Sequence, residues 1–457
     1  MSQLSTATQL VCMAEERYTF HQEGPDKYFV LPANGPNLAL GLRPLKRQLA
    51  RAFMEKCERP PTQQALAEAM TVIEGMCDGA PEQPLALRVA SSGEHIVVDL
   101  GTRDGSCVVI GPGAWEVALR SPVAFKRTAL TKALPTPIRG GSLGELRSLL
   151  NVTDHSWDLL VGWLVAAMIP EIPHPVLLLY GESGTAKTTV ATFLVRLLDP
   201  ARPETRGEPY DLHQWQVAAA GSWVVALDNL THISAWLSDA LCRTVTGEGV
   251  VKRRLYTDEE LAVLDYRRCI ILTAIDPGSL RGDLSDRLLA VELMRIPEDH
   301  RQCDGAMSAR FDAARPQLLG ALLDLVSRVL AELPQVHLKR APRMADFSRI
   351  LAATDRVMGT RSLAAYRGMT DDLARQVVED DVVGRSVVQM MHMTKLWEGS
   401  ASDLFAKLTT EPTPRGWPAD PARLSGRLRQ LAKDLSRLGI TVDQKRSNRR
   451  RLICLQK

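Results

Sequence analysis

Between residues 157 and 169, Trp157, Leu160, Val161, Leu164, Val165 and Met168 recur at intervals of three and four, the spacing of one helix face. The period then changes. Residues 176–179 (VLLL) are continuously apolar, as a strand buried on both faces requires, and similar runs recur at 223–228, 269–273 and 288–293. Strands alternating with helices over 142–297 predict an α/β layer built on a mainly parallel sheet. Beyond Pro297 the period is helical again: Leu318, Leu319, Leu322, Leu323, Val326 and Val329 form a stripe, and 344–358 is a second helix. Upstream, helices are expected at 45–57 and 62–76, separated by Pro60 and Pro61, with strands at 85–89, 95–100, 107–110 and 115–119. The segment 133–141 (ALPTPIRGG) and the Pro-rich 411–421 read as linkers. The expected organisation is an α+β N-terminal domain (1–141), an α/β core (142–297), a helical lid (298–395) and a basic C-terminal domain (396–457).

At 457 residues, 45% apolar and 24% charged, the chain is globular and long enough for three or four domains. Its eight cysteines include no CxxC pair and its histidines are dispersed, which points to free thiols in a reducing cytoplasm and to no structural metal. No signal peptide opens the chain and no apolar run is long enough to span a membrane, so a cytoplasmic protein is expected. The net charge of +3 conceals an asymmetry, since 415–457 holds twelve Lys and Arg against three Asp. That tail is the expected polyanion contact.

The strand at 176–179 runs into Gly181, Glu182, Ser183, Gly184, Thr185, Ala186, Lys187, Thr188 and Thr189, a phosphate-cradling loop followed by a helix at 188–198. Glycines let successive N–H groups turn inward, Lys187 would reach the β- and γ-phosphates of ATP, and Thr188 would help hold Mg²⁺. Ala186 stands where this pattern has its last glycine. The strand 223–228 ends in Asp228, the expected second Mg²⁺ anchor. Asn229 follows where a Glu would polarise water, and an amide cannot accept a proton, so Glu182 and Asp239 are alternatives for the general base. Thr273, closing the next strand, would reach the γ-phosphate or attacking water if that strand lies between the other two; a bland strand threonine is the alternative. Arg287, with Arg281 as backup, would complete a neighbouring subunit's site, or else pair with Asp283 or Asp286.

Two basic features suggest nucleic acid. Lys252, Arg253 and Arg254 cluster in a loop that would grip a single strand in a channel, or would simply be a solvated turn. In the tail, Asp420 caps a helix with Pro421 at its first position, Leu424, Leu428, Leu431, Leu435 and Leu438 form one stripe, and Gly439 ends it. Arg423, Arg427, Arg429, Lys433 and Arg437 occupy the other sides, and a hairpin at 441–445 and 451–455 with Arg449 and Arg450 at its turn completes a winged-helix outline. Duplex DNA is its expected partner.

Taken in order, LLLYGESGTAKTTVATFLVRLLDP, GSWVVALDNLTHISAWLSDALCR, TGEGVVKRRLYTD, RGDLSDRLLAVEL and GWPADPARLSGRLRQLAKDLSRLGI resemble the superfamily-3-like AAA+ replication ATPases of phages, plasmids and integrated elements. The chain resembles in particular the "ATP-binding protein" family of actinobacterial genomes and mobile elements, over most of 85–453. The resemblance implies a P-loop NTPase fold, a site of Lys187, Thr188, Asp228, Thr273 and Arg287, a DNA-touching hairpin at Lys252–Arg254, and Asp-Asn at 228–229 as a lineage trait; Ala186 departs from it. The expected activity is an ATP-driven DNA replication or helicase-like motor assembled as a homo-oligomeric ring, with a primase or other replication protein as a compatible partner. Alternatives are a slowly or non-hydrolysing DNA-binding switch or helicase loader and, less in keeping with the basic tail, a small-molecule kinase.

Overall fold

The computed structural model describes residues 4–24, 27–247, 250–253, 261–264, 267–274, 282–339, 343–409, 413–447 and 450–457. Helix α1 (Thr6–Arg17) leads into a three-stranded antiparallel sheet of β1 (Tyr18–Gln22), β2 (Tyr28–Pro32) and β3 (Leu40–Gly41), followed by α2 (Leu42–Cys57) and α3 (Gln63–Asp78). Leu10, Val30, Leu45, Leu49, Phe53 and Ile73 give this unit its own core. The two expected helices are present; α1 and the first three strands have no counterpart in the sequence reading. The strands are two to five residues long and only β2 buries more than one position, so alternation had little length in which to register.

An antiparallel meander follows: β4 (Val89–Ser92), β5 (His95–Asp99), β6 (Cys107–Gly111) and β7 (Ala114–Ala118). The strand expected at 85–89 begins instead at Val89; Ala86 makes an isolated bridge to Phe125. Val89, Ile96, Val98, Val108 and Ile110 belong to the same continuous core as the α/β layer. The joint is electrostatic as well. Arg88, fully buried, donates Nε to Asp199 at 2.8 Å and Nη1 and Nη2 to the Asp99 and Lys132 carbonyls. Asp199 Oδ2 in turn accepts the N–H groups of Trp223 and Val224.

After α4 (Leu143–Leu149) and α5 (Asp154–Ala167), the α/β layer comprises β8 (Val176–Tyr180), α6 (Lys187–Leu198), α7 (Leu212–Gly221), β9 (Val224–Leu230), α8 (Ala235–Thr246), the antiparallel pair β10 (Val250–Arg253) and β11 (Leu261–Leu264), β12 (Cys269–Ala274) and β13 (Leu288–Glu292). The four-stranded sheet is wholly parallel in the order β13-β8-β12-β9. Residues Val176 to Leu179 have no exposed surface, which explains their unbroken apolar run. Because the strands are parallel, the loops after β8, β12 and β9 open at one end of the sheet, and the strand order reverses the direction of winding beside β8.

The lid comprises α9 (Asp304–Glu332), α10 (Ala345–Met358) and α11 (Ser362–Asp380). The expected linker at 133–141 is packed against α9: a Cβ on Gly320 would fall 1.8 Å from the Ile138 carbonyl, and one on Gly141 2.1 Å from that of Gln317. Then come α12 (Val382–Met393), β14 (Leu396–Gly399), α13 (Ala401–Leu408), α14 (Pro421–Arg437), β15 (Thr441–Ser447) and β16 (Arg450–Gln456), with the sheet ordered β14-β16-β15. This is a winged helix. Val383, Val387, Met391, Leu404, Leu424, Leu428, Leu431 and Leu435 fill its core, so α12 packs with this unit. Asp420 caps α14 as expected, accepting the Arg423 N–H at 2.8 Å. Among the described residues, no helix is long and apolar enough to cross a membrane.

Candidate nucleotide-binding site

The chain leaves β8 at Tyr180 and turns at Gly181, whose φ of 149° and 2.5 Å approach of a would-be Cβ to the Leu293 carbonyl exclude any other residue without rearrangement. Gly184 has φ 82°. Ala186 is itself left-handed, φ 61° and ψ 32°, and serves as N-cap of α6 without a side-chain bond. The missing glycine of the motif thus falls where its backbone is wanted, at a cost of about 1–2 kcal/mol. Thr185 is buried and its hydroxyl donates to the Glu182 carbonyl at 3.0 Å, pinning the loop from inside. Glu182 and Ser183 are exposed.

Lys187 Nζ folds over the loop and donates to the carbonyls of Gly181 at 2.7 Å and Glu182 at 2.8 Å. Burial lowers its pKa, and Asp228 partly offsets this. Thr188 Oγ1 lies 3.0 Å from both carboxylate oxygens of Asp228. Thr273 Oγ1 lies 2.5 Å from Asp228 Oδ1 and accepts the Asn229 N–H at 2.7 Å. The expected position of β12 between its neighbours is therefore met. The Thr273 hydroxyl, however, is engaged with Asp228 and the Asn229 backbone instead of standing clear for a phosphate or water.

A register shift makes this possible. Leu272 pairs with Leu227 but Ala274 with Leu230, so Asp228 and Asn229 together face Thr273. The extra residue, Asn229, takes φ 58°. Asparagine tolerates this conformation far better than glutamate, which accounts for an amide where a carboxylate was anticipated.

Beside the loop is a cavity of about 470 Å³ lined by Leu149, Asn151, Ala186, Val190, Arg301 and Met307, among others. Arg301 Nη2 lies 3.3 Å from where a Gly184 Cβ would be. Neither feature was legible beforehand: Arg301 follows no motif, and the lining comes from α4, α6 and the start of α9, the last more than a hundred residues beyond the other two.

Arg287 ends a 3-10 turn (Gly282–Arg287) immediately before β13. Since Leu288 pairs with Val176 and Glu292 with Tyr180, Arg287 lies at the opposite end of the sheet from the glycine-rich loop. It lines a small cavity of about 170 Å³ with Arg343 and Thr246. Asp286, a candidate partner for it, is met by Arg343, Lys433 and Arg437.

Of the residues expected at nucleic acid, Lys252 and Arg253 lie in β10; Arg254 and Arg449, like the alternative Arg281, fall outside the described residues, and Arg450 opens β16. Arg423 is exposed, 3.4 Å from Asp420. Arg427 Nε donates to Asp381 at 2.6 Å, and Lys433 Nζ to Asp286, so two of the expected DNA contacts are occupied by the protein itself.

The family model for the Actinomycete integrative conjugative element replication protein matches residues 144–376. The chain belongs to that family. The AICE RepA C-terminal domain model matches residues 383–457, the segment that forms the winged helix. As an actinobacterial mobile-element replication protein of this family, the chain places its glycine-rich loop, Asp228 strand and all but the last turn of its lid inside the first match, and α12 to β16, but for Val382, inside the second. Similar solved structures include "SCCmec type IV Cch - active helicase", 12% identical over 96% of this chain and 93% of that one, with a TM-score of 0.47. The A form apo NrS-1 C terminal region is 11% identical over 99% and 100%, with a TM-score of 0.44. Likenesses this remote assign no chemistry. No curated protein matches the chain.

Proposed function

We propose that this chain is an ATP-binding and ATP-hydrolysing motor of DNA replication on a mobile element, acting as a ring of identical subunits. One observation carries the reading: at the end of β8, Lys187, Thr188 and Asp228 meet a left-handed glycine-rich loop and a helix N-terminus. This set fits a magnesium-bound triphosphate. Its donors are a loop of amides and an ammonium for phosphate oxygens, and its acceptors are a hydroxyl and a carboxylate for a hard cation. Bound MgATP would supply the phosphoryl group that passes to water. Lys187 would exchange two loop carbonyls for phosphate oxygens, and Thr188 and Asp228 would hold the cation. Arg301 would face the phosphates from the lid side, and the apolar slot beside Val190 and Met307 would take the base. Arg287, remote from its own loop, would act on a neighbour's nucleotide. On this reading β10–β11 touches single-stranded DNA, the winged helix binds duplex, and the protein works in the cytoplasm with other replication proteins.

Asn229 supports a second reading, a slow or non-hydrolysing switch, because its side chain cannot take a proton from water. ATP hydrolysis with and without single-stranded DNA decides between them. Lys187→Ala is expected to abolish nucleotide binding. Arg287→Ala is expected to keep binding and lose turnover, and an Arg287→Ala protein with wild-type turnover removes the trans assignment. Tight binding without turnover in the wild type establishes the switch.

A further inference from the structure

Three cations from two parts of the chain converge on one buried carboxylate. Arg343 Nη1 lies 3.2 Å from Asp286 Oδ2, Lys433 Nζ bonds the same oxygen, and Arg437 Nη2 is 3.0 Å from Oδ1. The Asp286 side chain is only 5% exposed. Arg437 also donates Nη1 to the Thr370 carbonyl at 3.2 Å, fastening α14 to α11.

Lys433 and Arg437 stand one turn apart on α14, on the face opposite Leu424, Leu428, Leu431 and Leu435. The leucines face the core of the winged helix, so the opposite side is the one such a domain presents to a major groove. Here the C-terminal half of that side is turned against the ATPase layer. A carboxylate offers Lys and Arg the same oxygen pair that a phosphate would.

We propose that Asp286 is an internal surrogate for a DNA phosphate, holding the winged helix docked on the ATPase layer so that docking and duplex binding exclude one another. This rests on the reading of the winged helix as a duplex-binding domain. Duplex phosphates would take Lys433 and Arg437, leaving Asp286 to Arg343. The event is registered one residue from Arg287, so occupancy of the winged helix and the position of the trans arginine become linked.

The test uses the full chain and a fluorescein-labelled mixed-sequence duplex, followed by anisotropy at several salt concentrations. Asp286→Asn removes the competing charge and is expected to tighten binding about ten-fold, as if about a tenth of wild-type molecules are undocked at any moment. Asp286→Glu keeps the charge and is expected to bind like wild type, which separates competition from damage to the fold. In unmutated protein, saturating duplex is expected to speed amide exchange across residues 284–288. Unchanged affinity in Asp286→Asn, together with unchanged exchange, overturns the surrogate. If Arg423→Ala and Arg429→Ala still weaken binding in that case, the DNA reading survives without it. If wild type and every variant fail to bind duplex, both fall.

Discussion

The Thr273 hydroxyl sits 2.5 Å from Asp228 Oδ1 while its oxygen accepts the Asn229 N–H, so one side chain on β12 fixes two consecutive residues of β9. The bulge that lets Asp228 and Asn229 face a single partner is the source of this geometry. It aims Asp228 back at Thr188 across the mouth of the glycine-rich loop.

Thr273→Val removes both bonds and leaves the Asn229 N–H without its partner. The expected stability loss is about 1–3 kcal/mol. Turnover is expected to fall about ten-fold or more while nucleotide affinity changes little, because Lys187 and the loop are untouched. Thr273→Ser keeps the hydroxyl and should retain most activity. Urea titration and steady-state ATP hydrolysis report the two effects separately.

Ala186 and Asn229 occupy left-handed backbone, and replacements there have opposite signs. Ala186→Gly releases about 1–2 kcal/mol of strain and returns about 0.4–1 kcal/mol through the freer unfolded chain. A small rise in thermal midpoint is expected, with nucleotide binding kept. Asn229→Glu, which installs a carboxylate, is expected to lower the midpoint and not to accelerate hydrolysis, since φ near 58° resists it. Calorimetry paired with a turnover assay checks both.

Much of the core was legible because buried parallel strands must be apolar along their whole length, which gave β8, β9, β12 and β13 within a residue or two. The loop chemistry was legible because glycine at Gly181 and Gly184 has few other reasons to precede Lys-Thr. What was not legible depends on distance in the chain. The winged helix was expected from α14 and a hairpin; its third strand, β14, is four residues long and pairs with β16 more than fifty residues away. Arg427 and Lys433 read as DNA contacts because helix periodicity cannot reveal that Asp381 and Asp286 lie opposite them. Arg301 and the cavity arise only when α4, α6 and α9 meet.

Arg88→Met tests the joint between the meander and the α/β layer. It strands Asp199, which is buried and also holds the Trp223 and Val224 N–H groups. Removing one partner of a buried ion pair costs about 3–5 kcal/mol, so a large drop in thermal midpoint is expected, and Asp199→Asn in the same background should recover part of it. A midpoint within a degree of wild type would show that the pair contributes nothing to the joint.

His174 makes stability depend on mildly acid pH. It is 1% exposed, its Nε2 lies 2.9 Å from the Ile169 carbonyl and 3.1 Å from that of Ala166, and its Nδ1 has no hydrogen-bond partner among the described residues. Burial first, opposed by those backbone bonds, lowers its pKa from 6.5 to about 4. The folded state therefore resists a proton that the unfolded chain accepts. Stability from this group is complete above pH 6.5 and declines as pH falls towards 4, by about 1.4 kcal/mol per unit and about 3 kcal/mol in all. Below pH 4 both states are protonated and the decline from this source stops. Urea midpoints measured between pH 7.5 and 4.5 should fall less steeply in His174→Gln, which cannot titrate, than in wild type. Parallel slopes would mean that His174 is protonated in the folded chain as readily as in the unfolded one.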